Sequence, residues 1–216
     1  SAMHDWHAAN GATFVEAGHW LRPQYYLARG EAGGKTSMDR AITEEVTAVR
    51  TAVGLVDVST LGKIDIQGPD AAELLNRLYA NGFKTLAVGK ARYGLMLRED
   101  GIVYDDGTTS RLGENHYLMT TTTAHAGDVM ALIEWYLQVV WPELDVQACS
   151  VTEQWAAMAL AGPKARDVLA EVVEPDTDVS DAALPFMGVT EAVIAGVPVR
   201  IFRISFSGEL SYEINA

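Results

Sequence analysis

The sequence predicts an α+β protein built from two related subdomains. Helical periodicity and β-type alternation take turns along the chain, separated by Gly, Pro, Asn and Asp. One phrase occurs twice: Ile64-Asp65-Ile66-Gln67-Gly68-Pro69-Asp70-Ala71-Ala72-Glu73-Leu74-Leu75 parallels Met158-Ala159-Leu160-Ala161-Gly162-Pro163-Lys164-Ala165-Arg166-Asp167-Val168-Leu169. Each copy reads as a strand, a Gly-Pro turn and a helix. Two such units suggest two related subdomains with a site between them, although strand-Gly-Pro-helix is also a common connection. The expected boundaries are 62–150 for an inserted second subdomain and 1–61 plus 151–216 for a discontinuous first one.

The elements follow in order. The glycine-rich stretch 30–36 reads as a flexible loop. Asp39 to Thr51 has apolar residues at helical spacing and Gly54 beyond its end, which predicts a helix. Val56 to Ile66 alternates and predicts strands. Asp70 to Leu78 predicts a helix, with Pro69 and its echo Pro163 placed in the first helical turn, where a missing N–H is harmless. His125 to Val140 is an amphipathic helix stopped before Pro142. Leu144 to Ser150 and Trp155 to Leu160 read as strands, and Lys164 to Val173 as a helix. The acidic, proline-flanked stretch from Glu174 to Pro185 is a loop. Val193 to Arg203 holds two strands around Ala195-Gly196.

Composition limits the function classes. The 216 residues are 49% hydrophobic and 21% charged, enough for one large core or two modest ones in an ordinary soluble globular protein. A net charge of -13 without a Lys/Arg cluster argues against nucleic acid as a partner. A polyanionic ligand would need a local basic rim, for which Arg92 and Arg203 are the expected residues. No apolar stretch is long enough to span a bilayer, so no membrane partner is expected. No signal peptide is visible, and Ser1-Ala2 before Met3 read as a tag scar. The lone Cys149 excludes a disulfide framework and is expected as a small core residue. His116 and His125 lack a recognisable metal spacing, so no metal is assigned. Trp135, Trp141 and Trp155 are expected in the core or at an interface.

The most informative segment is Arg92-Tyr93-Gly94-Leu95-Met96-Leu97-Arg98-Glu99-Asp100-Gly101-Ile102-Val103-Tyr104-Asp105-Asp106. Asp100-Gly101 is a strong hairpin turn, because glycine accepts the positive φ such turns need. The second strand runs into two adjacent carboxylates. Successive side chains on a strand point to opposite faces, so only one of Asp105 and Asp106 can enter a given site. A carboxylate at a strand end beside an aromatic residue suits a general base or a cation stabiliser. Taken alone, the residues favour two solvated turn acids.

This segment resembles the aminomethyltransferase family, which contains the glycine-cleavage T-protein and the folate-binding domains of sarcosine and dimethylglycine oxidoreductases. The family's "GG-I-x-D-D" hairpin stands as Asp100-Gly101-Ile102-Val103-Tyr104-Asp105-Asp106, with Tyr104 as one extra residue. Ala52-Val53-Gly54-Leu55-Val56-Asp57-Val58-Ser59 is similar to its "VG-hydrophobic-hydrophobic-D-V-S" signature. Arg203-Ile204-Ser205-Phe206-Ser207-Gly208-Glu209-Leu210-Ser211-Tyr212-Glu213 is similar to its "R-T-G-Y-T-G-E-x-G-x-E" signature. The resemblance runs from Gly18 onward. The wording of Arg92 to Met96, Glu114 to His116, Thr120 to Thr123 and Phe202 to Ile214 is similar to the branch found in α subunits of heterotetrameric sarcosine oxidases.

The resemblance implies the aminomethyltransferase folate-binding fold, with a third C-terminal domain of the family missing from this chain. It implies tetrahydrofolate as the cofactor and one-carbon transfer from oxidised sarcosine, giving methylenetetrahydrofolate and glycine. Flavin and NAD are implied on other parts of such a complex, since no "GxGxxG" fingerprint occurs here. The implied partners are the other sarcosine oxidase subunits, including a flavin-bearing β subunit, and the implied location is cytoplasmic. Asp106, the second acid of the pair, is the implied catalytic carboxylate, with Asp105 its neighbour. Tyr93, Thr122, Phe206 and Glu213 are the implied folate contacts, Phe206 standing where many relatives carry tyrosine. The other readings are a non-catalytic folate-binding or assembly module and a folate-dependent demethylase of another methyl donor.

Overall fold

A computed structural model describes all residues from Ser1 to Ala216. In chain order the elements are α1 (His4–Ala9), β1 (Ala12–Ala17), β2 (Trp20–Tyr26), α2 (Lys35–Thr51), β3 (Gly54–Asp57), β4 (Gly62–Gln67), α3 (Ala71–Leu78), β5 (Lys90–Leu97), β6 (Val103–Gly113), β7 (His116–Thr121), α4 (Ala126–Trp135), β8 (Gln147–Ser150), β9 (Ala157–Ala161), α5 (Ala165–Val172), β10 (Val189–Ile194), β11 (Val197–Phe202) and β12 (Ser211–Asn215). The predicted helices and strands are present. The first helix begins earlier than predicted, so the glycine-rich stretch ends at Gly34. The helix predicted to reach Val140 changes at Tyr136 into a π-helical turn, Tyr136–Val140. The N-terminal helix α1 and the β1–β2 hairpin carry no periodic signal that predicted them.

The chain forms two compact units: Ser1–Thr60 with Trp155–Phe186 and Thr190–Ala216, and Leu61–Gln154 with Met187–Val189. Each contains a five-stranded sheet, ordered β10-β11-β12-β9-β3 in the first and β5-β6-β7-β4-β8 in the second. The two orders correspond strand for strand in the first four positions. In each, the echo strand (β9 or β4) lies between two antiparallel neighbours, β12 and β3 or β7 and β8. In each, the residue after the echo helix makes a single bridge to the strand that follows, Val173 to Ile194 and Tyr79 to Met96. The units differ in where the outer strand comes from. β8 follows the other strands of its unit, whereas β3 precedes them.

The Gly-Pro turns show why the phrase repeats. Gly68 and Gly162 have φ of 139° and 133°, a region open to glycine. A Cβ on Gly68 would stand 2.2 Å from the Asp145 carbonyl oxygen, and one on Gly162 would stand 2.5 Å from that of Ala52. The Gly68 N–H donates to Asn115 and the Gly162 N–H to Leu210, the residues just before β7 and β12. Ala71 N–H closes a turn on the Gly68 carbonyl at 3.1 Å, and Ala165 N–H one on Gly162 at 3.0 Å. Pro69 and Pro163 therefore occupy the second position of a β-turn, ahead of the N-caps Asp70 and Lys164, rather than the first helical turn.

Each echo helix buries one stripe. Leu74, Leu75 and Leu78 of α3 join Ile64, Ile66, Phe83, Met96, Tyr117, Met119, Val129 and Ile133 in the core of the second unit. Leu169 of α5 joins Leu160, Val179, Leu184, Val199, Ile201 and Tyr212 in the first. Cys149 is exposed on β8, an edge strand, so it is not the core residue predicted. Trp135 is half exposed, while Trp141 stacks on Tyr136 at 4.2 Å with Arg77 above it, and Arg200 lies 5.0 Å over Trp155. No helix is long and apolar enough to cross a membrane.

The first unit also holds a buried polar chain. His7 Nε2 lies 2.8 Å from Asp57 Oδ2, and the Tyr26 hydroxyl lies 2.7 Å from His7 Nδ1. Ser59 N–H donates to Asp57 Oδ1 at 2.9 Å, and the Ser1 hydroxyl donates to Oδ2. Burial disfavours the charged Asp57, but the hydrogen bonds from Ser1, Ser59 and His7 outweigh it and hold its carboxyl at about 2. This ties α1 and β2 to the end of β3.

Two predictions follow from this architecture. Gly68→Ala and Gly162→Ala should each destabilise the protein by about 2 kcal/mol or more in urea unfolding, because strain at positive φ adds to a backbone clash. A second test uses acid. Asp57 is depressed below an unfolded value near ~3.9, so its stabilisation is full above that pH and is lost as pH falls toward about 2. Asp57→Asn should flatten the fall in Tm between about pH 4 and 2, and an unchanged slope would overturn the assignment.

Candidate functional site

The site is built on the β5–β6 hairpin of the second unit. Gly101, at φ 82°, makes the turn, and Gly101 N–H donates to the Arg98 carbonyl at 2.9 Å. The register pairs Leu95 with Asp106, Met96 with Asp105, and then Leu97 with Val103. Tyr104 is skipped, so the extra residue is absorbed as a β-bulge next to the acids. β6 then continues to Gly113, so Asp105 and Asp106 lie within the strand rather than at its end.

The pleat separates the two acids. Asp105 shares a face with Met96, which is 1% exposed in the core. Its oxygens take the Thr122 hydroxyl at 2.7 Å and the Thr122 N–H at 3.2 Å, and His125 Nδ1 stands 3.6 Å away. Asp106 is half-buried on the opposite face. There the Tyr93 hydroxyl donates to Asp106 Oδ2 at 2.8 Å. Tyr93 lies opposite Thr108 and reaches Asp106 diagonally across the strand pair. Its pKa is raised, first by the hydrogen bond to Asp106 and then by burial and the charges of both aspartates. The phenol is thus held as a donor beside a carboxylate, with Tyr93 45% exposed.

Thr108 and Thr120 complete this outward face. Thr120 Oγ1 donates to the Thr108 carbonyl at 2.9 Å and accepts the Thr108 N–H at 3.0 Å. Thr122, the implied contact from the threonine run, is not on this face, whereas Thr108 and Thr120 are. Counting two residues on from Asp106 along β6 would have found Thr108. α4 has His125 at its N-cap and no side-chain cap bond.

The remaining sequence-predicted residues lie elsewhere. Phe206 is fully exposed in the first unit, in a turn held by Ser205, whose Oγ accepts the Gly208 N–H at 3.0 Å and donates to the Glu209 carbonyl at 2.7 Å. Glu213 is half-buried on β12, an interior strand of its sheet, opposite Phe202 and Ala159. Of the two arginines expected to form a basic rim, Arg92 donates to the Gly82 carbonyl, while Arg203 donates to the Leu184 carbonyl and pairs with Asp181. Tyr93 and Asp106 are brought together directly; Asp105 and Thr122 are brought together on the reverse face.

Residues 3–216 match the profile of the GCVT N-terminal domain family. The chain is 56% identical over 216 residues to a sarcosine oxidase subunit alpha of Rhizobium meliloti (strain 1021), covering 99% of this chain and 21% of that protein. It thus spans about a fifth of the length of that curated relative. The fold is similar to a glycine cleavage system aminomethyltransferase T from Bartonella henselae, with a TM-score of 0.80 at 24% identity, over 100% of this chain and 52% of that one. It is also similar to a chain of the heterotetrameric sarcosine oxidase from Corynebacterium sp. U-96, with a TM-score of 0.57 at 17% identity, over 86% of this chain and 87% of that one. The chain belongs to the GCVT N-terminal domain family.

Proposed function

We propose that this chain is a tetrahydrofolate-binding, aminomethyltransferase-like domain of the sarcosine oxidase α-subunit type. Its reaction is transfer of the one-carbon unit of oxidised sarcosine to tetrahydrofolate, giving methylenetetrahydrofolate and glycine. The observation that carries the reading is the Tyr93–Asp106 pair, an exposed phenol ring beside an outward carboxylate. The other acid of the motif is turned inward and bonded to Thr122.

The residues on this face fit a flat, hydrogen-bonding heterocycle. The Tyr93 ring offers a stacking surface, and the carboxylate of Asp106 can accept from ring N–H groups. When bound, tetrahydrofolate supplies the nitrogen nucleophile that takes up the one-carbon unit. Asp106 stabilises the positive charge that develops on that nitrogen and accepts its proton. Tyr93 orients Asp106 by donating to Oδ2. Asp105 holds Thr122 and with it the approach to α4. Thr122 then serves as the anchor of Asp105. Phe206 and Glu213, in the first unit, are the proposed further folate contacts. The proposed partners are the remaining subunits of a sarcosine oxidase complex, on which flavin and NAD reside, in the cytoplasm. The subdomain boundaries proposed are 1–61 plus 151–216 around 62–150.

The test uses the complete enzyme. Asp106→Asn should leave flavin reduction unchanged and lower methylenetetrahydrofolate formation by roughly 100-fold, the usual scale for a lost acid–base group. Asp105→Asn should do much less, since an amide still accepts from Thr122. The reverse ranking would place the site on the inner face, and two silent variants would end the aspartate assignment. Binding of tetrahydrofolate in calorimetry supports either folate reading, and turnover with an iminium source separates the enzyme from a binding module. Tyr93→Phe should weaken transfer by about tenfold, matching loss of one hydrogen bond to a charged group of about 1.5 kcal/mol.

A further inference from the structure

The first unit contains a second charged cluster that one-carbon transfer does not use. Arg166, near the start of α5, and Arg203, just after β11, both point at one oxygen of Asp181. Arg166 Nη2 lies 2.8 Å from Asp181 Oδ1 and Arg203 Nη1 lies 2.6 Å from the same atom. The two cations are fixed by the fold. Arg166 Nε donates to the hydroxyl of Tyr212 at 2.7 Å, and the Tyr212 residue is fully buried. Arg203 Nη1 donates to the Leu184 carbonyl at 3.1 Å. Their side chains are 19% and 17% exposed, while that of Asp181 is 77% exposed.

That asymmetry separates a receptor from its occupant. The guanidiniums are held in place and largely desolvated, so an anion between them is strongly favoured. The anion is the solvent-exposed part. The backbone on either side of Asp181 is pinned by buried Val179 and Leu184, and Leu184 N–H donates to the Ser180 carbonyl at 2.8 Å. Asp181 thus reaches the arginines from a fixed backbone with its side chain open to solvent. The nearby Asp178 does not compete, because its Oδ1 takes the Ser180 N–H at 2.8 Å. Tethered as it is, Asp181 meets both arginines through a single oxygen. An untethered carboxylate can place one oxygen on each guanidinium, the geometry that planar forks favour.

We propose that Arg166 and Arg203 form a preorganised receptor for a carboxylate group, with Asp181 as its built-in, exchangeable occupant. The site is built from Arg166, Asp181 and Arg203 and not from the Tyr93–Asp106 pair, so a test without folate reads it directly. Its ligand is a carboxylate on a small molecule or at the end of a larger one.

The test titrates the 216-residue chain with acetate at constant ionic strength, following the guanidinium Nε–H resonances of Arg166 and Arg203. Asp181→Asn removes the competing charge, so the apparent Kd for acetate should fall at least about tenfold, since a tethered group competes at a high effective concentration. The gain should vanish when Arg203→Gln is added. Where that double variant does not fold, Arg203→Lys in the same background should keep the charge and lose most of the gain, because an ammonium has no fork. Equal acetate affinity in the unsubstituted chain and Asp181→Asn would overturn the proposal, as would a gain that survives Arg203→Gln. Tighter binding of inorganic phosphate than of acetate would overturn the carboxylate assignment.

Discussion

The constraint on which both units rest is the close approach of backbone to backbone at Gly68 and Gly162. Each glycine ends a central strand, turns the chain at positive φ and leaves no room for a side chain. The Asp70 N–H then donates to Asp145 and the Lys164 N–H to Ala52, joining the turn to the segment before the outer strand. A larger residue would push that segment away, and the following helix would lose its seat on the sheet. The apolar stripes of α3 and α5 reach their cores only because the turn sets their direction. A turn of the same hydrogen bonds, in two sheets whose first four strands correspond, is why the repeated phrase is a repeat of structure and not of composition.

A second constraint, the alternation of the β pleat, divides the chemistry. Asp105 and Asp106 are neighbours in sequence, yet one is bonded inside the second unit and the other meets Tyr93 outside it. A slip of one residue would exchange their environments. The bulge at Tyr104 absorbs the extra residue beside the acids, and the bonds of Asp105 to Thr122 fix the register from the inner side. Asp105 thus acts on Asp106 through geometry, as a pin for the strand they share.

Charge is distributed by the same logic. With a net charge of -13, most acids face solvent and repel one another weakly through screening. Asp57 is given fixed donors by Ser59 and His7, Asp105 by Thr122, Asp106 by Tyr93 and Asp181 by two arginines. Asp57 and Asp105 are buried and tie segments together. Asp181 is exposed, so its arginines keep an anion site that the chain itself occupies.

The α+β class, the echo, the hairpin at Asp100-Gly101 and the helices from Asp39 onward were legible in the sequence, because periodicity and turn chemistry are local properties of the chain. So were the adjacent acids and the fact that they must face opposite ways. The sequence did not predict α1 and the β1–β2 hairpin, whose position depends on a buried His7–Asp57 contact between residues 50 apart. Nor did it show which threonine joins Asp106, that Cys149 stands on an exposed edge, or that Arg203 answers Asp181. These depend on strand register and sheet order, which are decided by contacts between residues distant in the chain. Such contacts leave no periodic mark in sequence, and only the assembled sheets determine them.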